Sequence, residues 1–443
     1  MANRIEADYV VIGAGAMGMA FVDEILTHSD KTVAMIDRHG KPGGHWNDAY
    51  PYVRLHQPSY FYGVSSAVLG SDRTDEVGLN AGLSELASGA EVCSYFDQVM
   101  QRRFLPSGRV QYLPSTSYAD GTATSLPSGE TFDVAARHAV VDATYMKVKV
   151  PSVSAPSYSV EPGVTVIPPN QLPDVERPAG GYTVIGAGKT AFDALMWLLA
   201  NHVDPDHIHW IAPRDSWLLN RAVIQPGDGF RIRDQARIIA ESSSAADLYA
   251  RMEAEGQFFR IDPSIEPTMY RCATVTEAEL EQLRRITRVT RGARVVSIAP
   301  DSIELDSGSV PADPDAVYVN CSADGLERRP VEPIFTDGHI TLQTVRACQQ
   351  VFSAGLIGRI ETLADTSMEA KNELATVIPH PDTPEDFLRT SLAHIHNVGR
   401  WMQRPEVAAW LAESRLSPGD ESGGGDLGVA IQAVQKLEAF LNG

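Results

Sequence analysis

Tyr9-Val-Val-Ile12 is apolar without interruption, glycines follow at Gly13, Gly15 and Gly18, and apolar side chains then recur at helical spacing, Phe21 with Ile25 and Val22 with Leu26. An unbroken apolar run of this length reads as a strand covered on both faces of a sheet. The i,i+4 pairs read as a helix lying on it. A second apolar run, Thr32-Val-Ala-Met-Ile36, ends at Asp37-Arg38. The same order recurs later: Tyr182-Thr-Val-Ile185, then Gly186, Gly188 and Ala191, an apolar helix, and the strand His207-Ile-His-Trp-Ile211 ending at Pro213-Arg214.

Strand, glycine turn and helix in this order open a βαβ unit that binds a dinucleotide. In the first copy Gly13 permits the tight turn, Gly15 lets main chain approach a pyrophosphate, and Gly18 brings helix close to strand. Asp37, 24 residues past Gly13, stands where a carboxylate accepts hydrogen bonds from ribose hydroxyls. The second copy has Ala191 for its third glycine, and Lys189, beside Thr190, sits where a helix N-terminus meets a pyrophosphate. It is no nucleotide-triphosphate loop, because Thr183 occupies the position that needs glycine. Arg214 stands where NAD-selective sites carry an acid, and suits the 2′-phosphate of NADP. Two such copies, 173 positions apart from Gly13 to Gly186, predict an enzyme that holds two dinucleotides and moves electrons between them.

A longer repeat accompanies them. Residues 109–144 and 294–325 each read as a small antiparallel layer followed by a buried strand that returns to a parallel sheet. Residues 151–178, rich in Pro and Ser, connect the two units. Residues 234–290 read as a helical insertion, residues 417–425 as a loop by composition, and Val429 to Leu441 as a last amphipathic helix.

At 443 residues the chain exceeds what one core supports, so two or more domains are expected. A net charge of −20 argues against a role on nucleic acid or anionic membranes. No apolar run reaches the roughly 18–20 residues of a spanning helix, and a first strand beginning by about Asp8 leaves no room for a signal peptide. These features predict a cytoplasmic protein. Cys93, Cys272, Cys321 and Cys348 are scattered with no CxxC pair, which argues against a disulfide scaffold or zinc ribbon and for a reduced setting. His207 with His209, and His394 with His396, lack further ligands, so no metal site is expected. No Gly-x-Ser-x-Gly elbow supports hydrolase chemistry.

Gly43-Gly-His-Trp46, Tyr50-Pro51 and Gln57-Pro-Ser-Tyr60 add a further pattern. With these segments the chain resembles the two-dinucleotide flavoproteins of the flavin-containing and Baeyer-Villiger monooxygenase type, over residues 8–63 and 180–221 and loosely to 325. The resemblance implies an α/β fold of two Rossmann-like doubly wound domains, a discontinuous FAD domain (1–175 and 315–443) and an inserted NADPH domain (176–314). It implies FAD on Gly13, Gly15, Gly18, Asp37 and Arg38, with Gly44, His45 and Trp46 along the flavin. Gln343 and Thr344 would lie at a helix N-terminus near the flavin pyrimidine. NADPH falls to Gly186, Gly188, Lys189, Thr190 and Arg214. The resemblance implies that hydride passes from nicotinamide to FAD and that a flavin C4a-peroxide formed with O2 oxygenates a small organic substrate. Arg54 is the candidate cation beside the peroxide, with His56 and Gln57 next.

The chain departs from the family in two places. The linker signature F-x-G-x-x-x-H-x-x-x-W is missing from residues 158–171, and the Ala-Thr-Gly strand end reads Ala143-Thr-Tyr145. Two alternatives therefore stand beside the monooxygenase: an FAD-dependent dehydrogenase or oxidase without oxygen insertion, and a non-catalytic NADP(H)-sensing protein. The disulfide-reductase relatives are set aside because their CxxC is absent.

Overall fold

The computed structural model describes residues 3–323, 325–417 and 427–442. Its largest sheet runs Phe335–Thr336, His339–Thr341, Thr131–Asp142, Asn3–Ile12, Val33–Ile36, Val110–Leu113, and the last five strands are mutually parallel. Val10 lies opposite Ala34 on one side and Val140 on the other. The strand His339–Thr341 enters from beyond the second glycine turn, so this unit is discontinuous. A second parallel sheet runs Thr165–Ile167, Val317–Asn320, Tyr182–Ile185, Ile208–Ala212, Val289–Arg291. The α/β class and its parallel sheets follow the sequence pattern.

The helix Ala16–His28 explains the stability of the first glycine turn. Phe21, Val22 and Ile25 are fully buried and share one core with Phe352, Leu356 and Ile357 of the helix Gln350–Glu361. Each such side chain contributes roughly 2 kcal/mol by burial. Asp23 and Glu24 are buried too, and such acids need partners. Asp23 pairs with Arg103, and Glu24 accepts the indole N–H of Trp410 at 2.9 Å.

Several segments differ from the sequence reading. Residues 151–178 do more than connect: Thr165–Ile167 pairs with Val317–Asn320 at the edge of the second sheet. That sheet therefore extends past 176–314 at both ends. Val110–Leu113 belongs to the parallel sheet; the antiparallel layer of the first unit is the hairpin Thr116–Ala119 and Thr122–Ser125 leaning on Thr131–Asp142. The span 234–290 holds the helices Asp234–Glu241, Ala245–Ala254 and Glu277–Arg284, but also the strand Met269–Val275, which pairs with Ser216–Asn220. A strand wins there because its buried Met269, Tyr270, Ala273 and Val275 close a core that other segments supply, a tertiary context that local composition does not carry.

The C-terminal helix Leu427–Asn442 packs Ala433 and Leu437 into a core with Trp217, Tyr249 and Phe258. From residue 418 the loop expected at 417–425 lies outside the described residues. Cys272 and Cys348, 76 positions apart, are joined as a disulfide. The sequence spacing, which argued against a disulfide scaffold, carries no sign of this bond, because chain folding brings the two cysteines together.

Candidate functional site

The two glycine turns are built alike and finished differently. Among the described residues five α-helices, beginning after Ser88, Ser244, Thr276, Ser367 and Thr383, carry a side-chain cap that accepts a first-turn N–H. The helices Ala16–His28 and Lys189–Ala200 start from Gly15 and Gly188 with no side-chain cap. A missing cap costs about 1 kcal/mol and leaves N–H groups and the positive helix end for an anion. Gly18 leaves no room for a Cβ, which would overlap the Gly13 carbonyl oxygen. Gly188 is exposed, and a Cβ there would meet nothing within 4 Å. Packing therefore demands glycine at position 18, whereas at position 188 the protein itself places no such demand.

A cleft of about 730 Å³ collects ten of the residues singled out in the sequence: His45, Trp46, Arg54, His56 and Gln57 from the first unit, and Gly186, Gly188, Lys189, Thr190 and Arg214 from the second. Trp46 is fixed there by a bond from its indole N–H to the Tyr62 hydroxyl at 2.7 Å and by stacking on His45 at 5.4 Å between ring centres. The exposed Arg54 donates to the Leu86 carbonyl at 3.0 Å. Burial pushes His45 down to about 4 and, with Lys189 and Arg221 nearby, His56 down to about 3. His56 is therefore neutral at physiological pH and no substitute for a cation. Its Nδ1 is buried without a hydrogen-bond partner among the described residues. Behind it the buried Arg221 donates to the His56 carbonyl at 3.0 Å and pairs with Glu279 at 2.8 Å.

The remaining candidates lie outside this cleft or are held by protein groups. Asp37 is buried; one carboxylate oxygen accepts the Ala14 N–H at 2.5 Å, and the other accepts the His39 N–H at 2.7 Å. His39 bridges it to Asp48, with 2.9 Å from each ring nitrogen. The hydrogen bond to Asp37, ahead of that to Asp48, lifts the His39 imidazole to about 9 in spite of burial. Arg38 is exposed. Gly44, at φ +56, touches Gly15: a Cβ on it would stand 2.9 Å from the Gly15 Cα. Lys189 pairs with Asp193, which also accepts the Tyr50 hydroxyl at 2.6 Å.

Gln343 and Thr344 are buried and bond to main chain, Gln343 to the Glu332 carbonyl at 2.8 Å and Thr344 to that of Ile378 at 2.7 Å. They line a second cavity of about 530 Å³, which shares Arg271, Leu326 and His380 with the cleft. Arg214 makes a bidentate pair with Asp382, at 3.0 and 2.6 Å. Arg271 and Arg328 reach the same carboxylate at 2.6 and 2.7 Å. Burial works to raise the Asp382 carboxyl, but bonds from Arg214 and Arg271 outweigh it and hold the group well below the usual range. Arg271, His380 and Asp382 escaped the sequence reading because they come from distant segments, and no spacing connects them. His39 was within reach: a histidine two residues past a strand-end acid is positioned to bond it.

No family model matches the sequence. The proteins Rv2000 and MT2056 of Mycobacterium tuberculosis and Mb2023 of Mycobacterium bovis are each 50% identical over 423 residues, covering 94% of this chain and 78% of theirs. The chain belongs to the family of these mycobacterial proteins. Among solved structures, the open form of cyclohexanone monooxygenase matches with a TM-score of 0.50 at 14% identity, over 83% of this chain and 91% of that one. Its cyclohexanone-bound rotated form matches with a TM-score of 0.51 at 14% identity, over 84% and 91%. The chain shares the fold of that enzyme.

Proposed function

We propose that this chain, with the mycobacterial family to which it belongs, is an FAD-dependent, NADPH-reduced oxidoreductase that works as a monooxygenase on a small organic substrate and O2. The observation that carries the reading is the cleft itself, where residues beside the first glycine turn and residues of the second face one another. The protein groups fit two dinucleotides. The two helices that start from a glycine offer N–H groups to a pyrophosphate, and Gly188 leaves open the space a phosphate needs. When bound, FAD supplies the electron transfer and the oxygen activation that side chains lack.

The side chains bind, orient and exclude water. Gly13, Gly15, Gly18 and Gly44 shape the FAD end. Asp37 fixes the turn through Ala14, and His39 fixes Asp37. Trp46, held by Tyr62, would hold a bound flavin ring along its indole, and neutral His45 and His56 keep the wall free of charge. Gly186, Gly188, Lys189 and Thr190 receive the second nucleotide, with Arg214 toward its 2′-phosphate. Arg54, which lines the cleft, and Arg271, which lines both cavities and pairs with Asp382, would be the cations available to developing negative charge. We assign the substrate to the second cavity, beside Gln343 and Thr344, and the protein to the cytoplasm.

The test is direct. Purified protein should carry flavin, lose its flavin absorbance on anaerobic addition of NADPH, and under oxygen-18 gas leave label in an organic product. Bleaching without label would make it an FAD oxidoreductase without oxygen insertion. Protein that takes up no FAD would end both readings.

A further inference from the structure

Cys272 and Cys348 come from different parts of the molecule. Cys272 lies on the strand Met269–Val275, which pairs with Ser216–Asn220 beyond the second sheet. Cys348 stands just before the helix Gln350–Glu361, which packs on the first fingerprint helix in the other unit. Their Cα atoms are 6.7 Å apart, within the span a disulfide accepts.

The backbone at both sulfurs departs from its element. Cys272 has φ +55 in the middle of a strand, where the pairing with Ser216–Asn220 shifts register between Trp217 and Leu219. Such irregularities re-aim a side chain, here out of the sheet toward Cys348. Ala347, next to Cys348, has φ +37. Neither cysteine is fully buried, so a small reagent can reach the pair. Cys348, Gln349 and Gln350 line the cleft, as does Arg271 next to Cys272. Noncovalent ties also hold this seam: Arg214 and Arg271 pair with Asp382, the Tyr270 N–H donates to the Asp382 carbonyl at 3.1 Å, and Phe387 and Leu388 share a core with Trp217, Tyr249 and Tyr270. The disulfide adds a covalent tie to these.

We propose that Cys272 and Cys348 form a reversible thiol–disulfide site that locks the second unit onto the first and sets access to the cleft. In a reducing compartment a disulfide is transient or redox-sensing more often than structural. Reduction breaks the Sγ–Sγ bond and leaves two thiols. The two electrons and two protons come from two molecules of a low-molecular-weight thiol, which leave as their own disulfide. Oxidation by that disulfide reverses the step. The other cysteines take no part, since Cys93 and Cys321 are unpaired and Cys321 is buried.

Full-length protein is divided, one half treated with oxidised glutathione and the other with dithiothreitol, and both are desalted. Unfolded in denaturant, the first should titrate two thiols and the second four. A non-reducing peptide map should join the Cys272 and Cys348 peptides in the first alone. In the dithiol form the amides of residues 269–275, 345–350 and 185–190 should exchange about tenfold faster, as expected when a local tie is released, and reoxidation should restore them. C272S and C348S should each exchange like the dithiol form whatever the treatment, so a folding fault in one variant is recognised by the other. The proposal is overturned by an absent or different cross-link, by a bond that millimolar glutathione leaves intact, or by identical exchange in the two forms. None of these readouts requires bound nicotinamide or turnover, so they stand apart from the proposed activity.

Discussion

The two glycine turns share one backbone plan, and their surroundings give them different work. The first is roofed by its own chain: Gly44 rests against Gly15, and Asp37, itself held by His39, anchors the turn through Ala14. The second opens into the cleft, with Gly188 exposed and its Cβ position vacant. A roofed turn suits a resident cofactor and an open one a nucleotide that comes and goes. The third position agrees. Gly18 is required by contact with Gly13, whereas the corresponding place in the second copy holds a fully buried Ala191.

The largest effect expected from breaking this contrast comes at Gly18. Gly18→Ala forces a methyl against the Gly13 carbonyl and should cost about 3 kcal/mol, the upper range of overpacking, seen in denaturant midpoint and in loss of flavin per chain. Gly188→Ala should leave stability within about 0.5 kcal/mol, as for a surface site, yet raise the nucleotide KM about tenfold. Equal destabilisation by both would remove the contrast.

Arg214 sharpens the comparison next. Arg214→Gln should lower the preference for NADPH over NADH about tenfold, the worth of one charge-assisted hydrogen bond, with NADH kinetics little changed. An equal loss with both nucleotides would leave Arg214 to Asp382 alone.

A smaller, pH-dependent effect belongs to His39. Its folded pKa is raised from 6.5 to about 9, chiefly by Asp37. Its contribution is therefore fully present below about pH 6.5 and is lost as pH rises through about 9. Thermal unfolding followed from pH 6 to 10 should show this loss, and His39→Gln should flatten it. The smallest effect is at His56, held near 3 by burial. It stays neutral, so His56→Gln should leave the pH profile of turnover between 5 and 9 unmoved.

Both parallel sheets and both turns were legible in the sequence, because unbroken apolar strands and spaced glycines are local signals. Gly186, Gly188 and Lys189 could be placed for the same reason. The strand Met269–Val275 was not legible, since its irregular backbone at Cys272 breaks the alternation that marks a strand. The meeting of Arg214, Arg271 and Arg328 on Asp382 was equally hidden, because their separation in the chain carries no periodicity. Asp37 was located correctly as a strand-end acid, but the bridge that His39 makes from it to Asp48 depends on how the Gly44–Asn47 turn folds back.

The central claim, a resident cofactor in the roofed turn and an exchanging one in the open turn, is tested most directly by one experiment. Purified protein is mixed anaerobically with excess NADPH, the flavin absorbance is followed, and the mixture is then gel-filtered and assayed for both nucleotides. The account predicts bleaching, about one flavin per chain retained, and nicotinamide nucleotide removed. Protein that holds no flavin, or that retains the nicotinamide nucleotide while losing flavin, would contradict it.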